Sequence, residues 1–266
     1  MIWRLLMSES GRCIGECRKQ EQKETSFFCL NEQTGKILWE ELKLDEPWWL
    51  GLEAVQKNII LVHGFVKPDL PQHYGIQAFE VETGRQVWAR RDLTYWFGVQ
   101  DIVYAYKDLF EKRIGYAVNL HTGEIQQTFE SSDDELLAAR RKANEELLLL
   151  PYRFPELAME SECPPAVWSI IQGRVKGKGI AGNPEYIQER GYLLFNYFAR
   201  DPKSSPQVPS LENRFIIQDL ERKKIVFEDV LSRNVPNPAP DSFFVNESFV
   251  YFINNGNELQ ALRLWK

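Results

Sequence analysis

The stretch EQTGKILWEE, residues 32–41, reads as a strand end, a tight turn at Thr34-Gly35 and a new strand carrying Trp39. The same corner returns as VETGRQVWAR at 81–90 and as LHTGEIQQTF at 120–129. Thr34-Gly35 then stands over Thr83-Gly84 and Thr122-Gly123, and Trp39 over Trp88. Glycine after threonine supplies the positive φ that a tight hairpin demands. A weaker copy, DLERKKIVFED at 219–229, puts Phe227 where the tryptophans stand. The wide gap before that copy leaves room for one degenerate repeat.

Around each corner, short β-rich runs alternate with turn residues, and both strand faces carry apolar side chains, as in sheets covered on both sides. WWLGLEA at 48–54 aligns with YWFGVQD at 95–101, which adds an earlier strand to each repeat. Four strands are expected at 48–54, 59–65, 75–81 and 85–90, and four more at 95–101, 102–107, 113–119 and 124–129. Repeats of about 40 to 50 residues with four strands each are the pattern of a β-propeller. The closing ELQALRLWK reads as a third strand, and the opening MIWRLLM, with Trp3, as a fourth. The expectation is an all-β propeller of six four-stranded blades, with five and seven left open. The N-terminal strand would join the last blade and close the ring, removing two sheet edges. The whole chain, 1–266, then reads as one domain.

Thr-Gly followed by an apolar pair and tryptophan resembles the repeats of the pyrroloquinoline-quinone-like β-propellers, found in quinoprotein dehydrogenases and in an outer-membrane assembly lipoprotein. The resemblance rests on the corners at 32–41, 81–90 and 120–129 and two weaker copies. It implies a fold rather than an activity, since such repeats serve both binding scaffolds and enzymes.

Residues 131–151 break the pattern. In SSDDELLAARRKANEELLLL, Ser132 and Glu135 form a capping box, and Leu136, Ala139, Ala143, Leu147 and Leu150 share one helical face before Pro151. A helix inserted between the third and fourth blades, lying over a blade edge, is expected.

With 38 acidic against 32 basic residues the net charge is −6, which gives no basic footprint for nucleic acid. The opening segment holds too short an apolar run for a signal peptide, and no run is long enough to span a bilayer. A cytoplasmic location is therefore expected.

The motifs that look chemical do not assemble. GKGIAG, Gly177 to Gly182, fits G-x-G-x-x-G, but Asn183-Pro184 follows where a dinucleotide site needs a helix. Cys13, Cys17 and Cys29 lie in one region, and a hairpin centred on Lys23 would set Cys17 opposite Cys29. With no histidine close in sequence, these and Cys163 read as buried thiols. His63, His73 and His121 are scattered, and Asp101 reads as a surface carboxylate. No catalytic, metal or cofactor residue is assigned, and no cofactor is expected.

If strands alternate in direction, the Thr-Gly corners share one face, and the second-to-third loops share the other with the starts of the first strands. That second face holds VKPDLPQHYG at 66–75 and RDPKSSPQVPSLEN at 200–213, with Trp48, Trp49, Tyr95, Trp96, Trp168 and Phe243 at strand starts. Aromatic residues beside adaptable loops suit a binding surface. The expected face comprises Trp48, Trp49, Tyr95, Trp96, Trp168 and His73. The expected function is a non-enzymatic scaffold for a protein or peptide. The alternative is a small-molecule sensor or a quinone- or sugar-related enzyme with its site at the channel mouth.

Overall fold

A computed structural model describes residues 1–67, 70–130, 132–148, 150–201, 204 and 210–264. The chain divides into two compact units, Met1–Leu149 and Leu150–Lys266. The first holds three sets of four strands. These are β1 (Ile2–Met7), β2 (Arg12–Lys19), β3 (Glu24–Asn31) and β4 (Ile37–Leu42); β5 (Leu50–Gln56), β6 (Ile59–Lys67), β7 (Leu70–Glu80) and β8 (Gln86–Arg90); and β9 (Thr94–Val99), β10 (Ile102–Asp108), β11 (Arg113–Asn119) and β12 (Ile125–Glu130). Each set pairs antiparallel in chain order, and one parallel bridge, Gly75 with Thr94, joins the second to the third.

The repeated corner has a structural reason. At each one the glycine N–H closes the turn on a carbonyl four residues back: Gly35 on Asn31, Gly84 on Glu80, Gly123 on Asn119. The three glycines have φ of 67°, 67° and 73°, a left-handed conformation that strains other residues. Each tryptophan then reaches the corner of the following set. Trp39 Nε1 donates to the Val81 carbonyl at 2.8 Å, and Trp88 Nε1 donates to the Leu120 carbonyl at 2.8 Å. The indoles cover the next glycines so closely that a Cβ on Gly84 would meet the Trp39 ring at 3.2 Å, and one on Gly123 the Trp88 ring at 2.7 Å. The repeat is thus a lock between neighbouring sets as well as a turn.

The third set carries Gln127 where a tryptophan would stand, and α1 (Asp134–Leu148) follows it. The helix seats Leu136 and Ala143 against Phe97, Val99 and Phe129 of the third set, while Leu147 and Leu150 are exposed. Its start differs from the expected box. The Asp133 carbonyl accepts the Leu137 N–H, and Glu135 accepts a hydrogen bond from Gln127 instead of turning back to Ser132.

The second unit contains β13 (Tyr152–Arg153), β14 (Glu156–Leu157), α2 (Pro165–Val175), β15 (Ile180–Glu189), β16 (Tyr192–Arg200), β17 (Leu211–Asp219) and β18 (Lys224–Val235). It ends with β19 (Phe243–Asn246), β20 (Phe249–Asn254) and β21 (Glu258–Arg263). Strands β14 to β18 form one sheet, and β13, β19, β20 and β21 another. Phe227 of the weak fourth corner packs on Phe252 of the following sheet, with ring centroids 5.6 Å apart, as the tryptophans do in the first unit. Lys223, at φ 53°, takes the glycine's place in that turn.

Several expectations need correction. The opening strand β1 pairs with β2, from Ile2 opposite Cys17 to Met7 opposite Cys13, across the short turn at 8–11. Such local pairing closes a far smaller loop than union with the chain's last strands. The last sheet runs β13-β19-β20-β21, so its fourth strand, β13, lies on the β19 edge and not beside β21, where the opening strand was expected. Trp3 is therefore not a fourth strand, and the described residues hold five sets where the corner count gives six. Trp168 does not start a strand. It lies in α2, whose Pro165 occupies the first turn and whose buried Val167, Ile171 and Val175 repeat at helical spacing. Cys17 faces Ser26, and Cys29 faces Ile14, because the β2–β3 hairpin is centred earlier than Lys23.

The lock predicts an inequality between two like substitutions. Gly35→Ala, with open space around it, should cost about 1 to 2 kcal/mol for its left-handed backbone. Gly123→Ala should cost about 1 to 3 kcal/mol more, because its Cβ would strike Trp88. Urea unfolding midpoints of the two variants measure the difference.

Candidate functional site

Two irregularities in the second set bring together residues that a regular sheet would keep apart. Between the pairs Leu52–Val62 and Ala54–Leu61, Glu53 is an extra residue, a bulge in β5. Between Gly64–Tyr74 and Val62–Gln77, β7 holds two residues, Gly75 and Ile76, against His63 alone. Gly75, at φ 69°, gives this second bulge its left-handed residue. Glycines also make room across the strands: Gly51 stands opposite His63, and Gly64 opposite Tyr74.

The result is a cluster of Glu53, His63 and His73, whose ligand-type atoms all lie within 4.8 Å of one another. The two imidazoles stack at 3.5 Å with planes 9° apart, and the Phe65 ring stands edge-on to both. His73 Nδ1 is hydrogen-bonded to Glu53 Oε2 at 2.8 Å. His63 Nδ1 lies 2.9 Å from the same oxygen, yet forms no hydrogen bond to it. His63 is 3% exposed, and neither ring nitrogen has a hydrogen-bond partner. A buried polar group left so costs about 1 to 3 kcal/mol.

Burial pushes the Glu53 carboxyl up, but the two imidazoles outweigh it and hold it below its ordinary value. Burial and the neighbouring His63 push His73 down, toward the neutral ring. Behind the cluster, Glu16 is buried, accepts the Leu52 N–H at 2.8 Å and pairs with Arg18 at 2.5 Å. Glu16 Oε2 and His63 Nε2 face the same gap above Gly51, where a Cβ would sit 3.1 and 3.2 Å from them. Arg4 donates to the carbonyls of Leu52 and Glu53 and fixes the bulged strand.

The expected face is only partly assembled. Trp48 and Trp49 precede β5, with N–H groups on Glu46, and the Trp49 carbonyl accepts the Phe65 N–H beside the histidines. Arg18 lies between the Trp48 and Trp3 rings, 5.1 and 5.3 Å from their centroids, and Trp3 is 56% exposed. Tyr95 is packed in the core between the second and third sets, where burial raises its phenol. Trp96 is half-buried, with the Arg140 guanidinium of α1 5.5 Å from its ring. Trp168 packs in the second unit's core, and Phe243 is buried there too. His73 is in the cluster, because β7 begins at Leu70 and most of the expected loop 66–75 is strand. Of the other loop, 200–213, residues 202, 203 and 205–209 lie outside the described set.

Glu53 and His63 went unassigned in the sequence. The signal for them was the hairpin register, which sets residues 63 and 73 on neighbouring strands, but bulges cannot be read from alternation. His121 and Lys57 both hold the surface Asp101, at 3.2 and 2.6 Å. The GKGIAG segment runs from the end of α2 into β15, the reverse of the strand-to-helix order a dinucleotide site uses.

Residues 7–88 match a family described as a domain of unknown function, DUF4905. No curated protein matches the chain. Similar solved structures include the β-propeller domain of the Trilobed protease from Pyrococcus furiosus, at 10% identity and TM-score 0.33, covering 98% of this chain and 68% of that one. The uncharacterized protein lmo1340 from Listeria monocytogenes EGD-e shows 10% identity and TM-score 0.36, covering 99% and 94%. Citrobacter koseri AztD shows 11% identity and TM-score 0.28, covering 98% and 70%. Likeness at these scores carries nothing further for this chain. Among the described residues no helix is long and apolar enough to cross a membrane.

A second buried polar group lies in the second unit. Glu185 is 6% exposed, accepts the Asp241 N–H at 3.1 Å, and is pushed up by burial. A carboxyl raised on folding adds stability below its unfolded pKa and loses it as pH climbs through the folded value. Glu185→Gln should therefore match the parent near pH 4 and gain on it as pH rises toward 7.5, levelling off once the folded value is passed. Unfolding midpoints across that range check the trend, and a constant difference would contradict it.

Proposed function

We propose that this chain is a non-enzymatic binding protein that takes a protein or peptide partner at the second-to-third hairpin end of the first unit's sheets. The observation that carries this reading is Phe110, fully exposed in the β10–β11 turn beside the exposed Leu109. Folding gains nothing from a phenylalanine left wholly in water, whereas a partner that covers it gains about 2 kcal/mol or more as from an anchor residue. The corresponding end of the second set supports it too. Val66, Leu70 and Tyr74 are each 44–45% exposed along the β6–β7 hairpin. In the first set, Lys23 of the β2–β3 turn stands 5.0 Å from the Trp48 ring, next to Arg18. A partner segment with apolar anchors and acidic neighbours fits these groups.

In this reading the repeated four-stranded sets are blades of a propeller of the quinoprotein type, used as a scaffold. Its cysteines, unpaired and mostly buried, suit a reducing compartment such as the cytoplasm. The small-ligand alternative is favoured by one observation, the Glu53–His63–His73 cluster.

Replacing Phe110 and Leu109 together by serine should reduce capture of the partner from native lysate at least tenfold, with the unfolding midpoint unchanged. Val226→Ser, which alters an exposed apolar residue of the second unit, should leave capture intact. Equal capture by the parent and the double variant would contradict the proposal.

A further inference from the structure

We propose that Glu53, His63 and His73 bind one divalent first-row transition metal ion of the zinc class, through Glu53 Oε2 and the two Nδ1 atoms. This goes beyond peptide binding at the hairpin end and does not depend on it.

The donor set suits such an ion. Two imidazoles and one carboxylate are a three-ligand set that holds zinc and related ions while leaving a further position open. In this chain the three come from adjacent strands, β5, β6 and β7, and two separate bulges are needed to bring them within 4.8 Å. Packing explains neither bulge, since the residues gathered are polar and His63 is buried without a hydrogen bond at either nitrogen.

A fixed carboxylate supports the ligands from behind. A histidine that ligates through Nδ1 carries its proton on Nε2, and a carboxylate or carbonyl generally receives it. His63 Nε2 faces the gap above Gly51 that Glu16 Oε2 also faces. Glu16 is buried and anchored by the Leu52 N–H and Arg18, so it is a carboxylate already fixed in place. Gly51 keeps the gap open, because any side chain there would press on both groups.

The geometry says what must move. Ligand atoms around a tetrahedral ion stand about 3.3 Å apart given bonds of about 2.0 Å, whereas both nitrogens lie 2.8–2.9 Å from Glu53 Oε2. The lone pairs of two stacked rings also lie in near-parallel planes and do not converge on one ion. Binding therefore opens the cluster by about half an ångström and turns one ring out of the stack. His73 is the ring that turns, since its side chain is 35% exposed while that of His63 is 4% exposed.

The test uses the full chain, freed of metal by chelator and titrated at pH 7.5 with cobalt(II) by visible absorption and with zinc(II) by calorimetry. One ion per chain is expected, with the intense visible band of a low-coordinate cobalt site and no sulfur charge-transfer band. His73→Gln and Glu53→Gln should each weaken binding at least tenfold, while His121→Gln leaves it unchanged. Should either variant fail to fold, ring nitrogen resonances of the parent replace it. Zinc should shift those of His63 and His73 and leave His121 in place. Absence of saturable binding, binding unchanged in both variants, or zinc shifts confined to His121 would overturn the proposal. Phe110→Ser should not alter metal affinity, so loss of the peptide reading and loss of this one are separable.

Discussion

The contact on which the first unit depends is an indole lying on a glycine of the neighbouring corner. Trp39 on Gly84 and Trp88 on Gly123 each combine a large apolar ring, a hydrogen bond to a turn carbonyl and a backbone that only glycine adopts without strain. The three requirements are coupled. A side chain on the glycine would lift the ring, and a lifted ring would leave the carbonyl at the turn without its donor. The contact therefore fixes the position of one set of strands relative to the next within this unit. It also explains why the motif stops when Gln127 replaces tryptophan and α1 covers the third set.

With the corners fixed at one end, irregularity is tolerated at the other. The bulges at Glu53 and at Gly75–Ile76 lie in β5 and β7, between core residues whose packing is regular. Leu52 and Val62 continue into the first core, and Leu61 and Ala78 into the next, so the strands stay anchored while the polar residues between them are re-aimed. A rigid frame that places a buried, poorly satisfied polar cluster beside aromatic strand starts is what a binding site requires.

Much of this frame was legible in the residues. Thr-Gly and tryptophan at matching places give the hairpins and the strands on either side, because a short turn closed by a left-handed glycine and a two-residue period are local properties. The expected strands at 59–65 and 113–119 correspond closely to β6 and β11. Pairing partners were less legible. Trp3 looks like a corner tryptophan, yet the turn at 8–11 commits β1 to β2. Trp168 looks like an aromatic strand start, yet Pro165 and the Val167, Ile171, Val175 stripe make it helical. The cluster was the least legible part. Alternation assigns each side chain to a face, and a bulge changes that assignment without any residue type to announce it, apart from Gly75.

Native-state hydrogen exchange in Trp88→Ala tests the coupling between consecutive corners most directly. The amides of Asn119, Leu120 and Gly123 are hydrogen-bonded within or beside the third corner and lie more than thirty residues from the substitution. Their protection should collapse in the variant, while Asn31 and Gly35 of the first corner keep theirs. If protection is lost only along β8, and the third corner exchanges as slowly as in the parent, the tryptophan is an ordinary core residue and the account of the repeat is wrong.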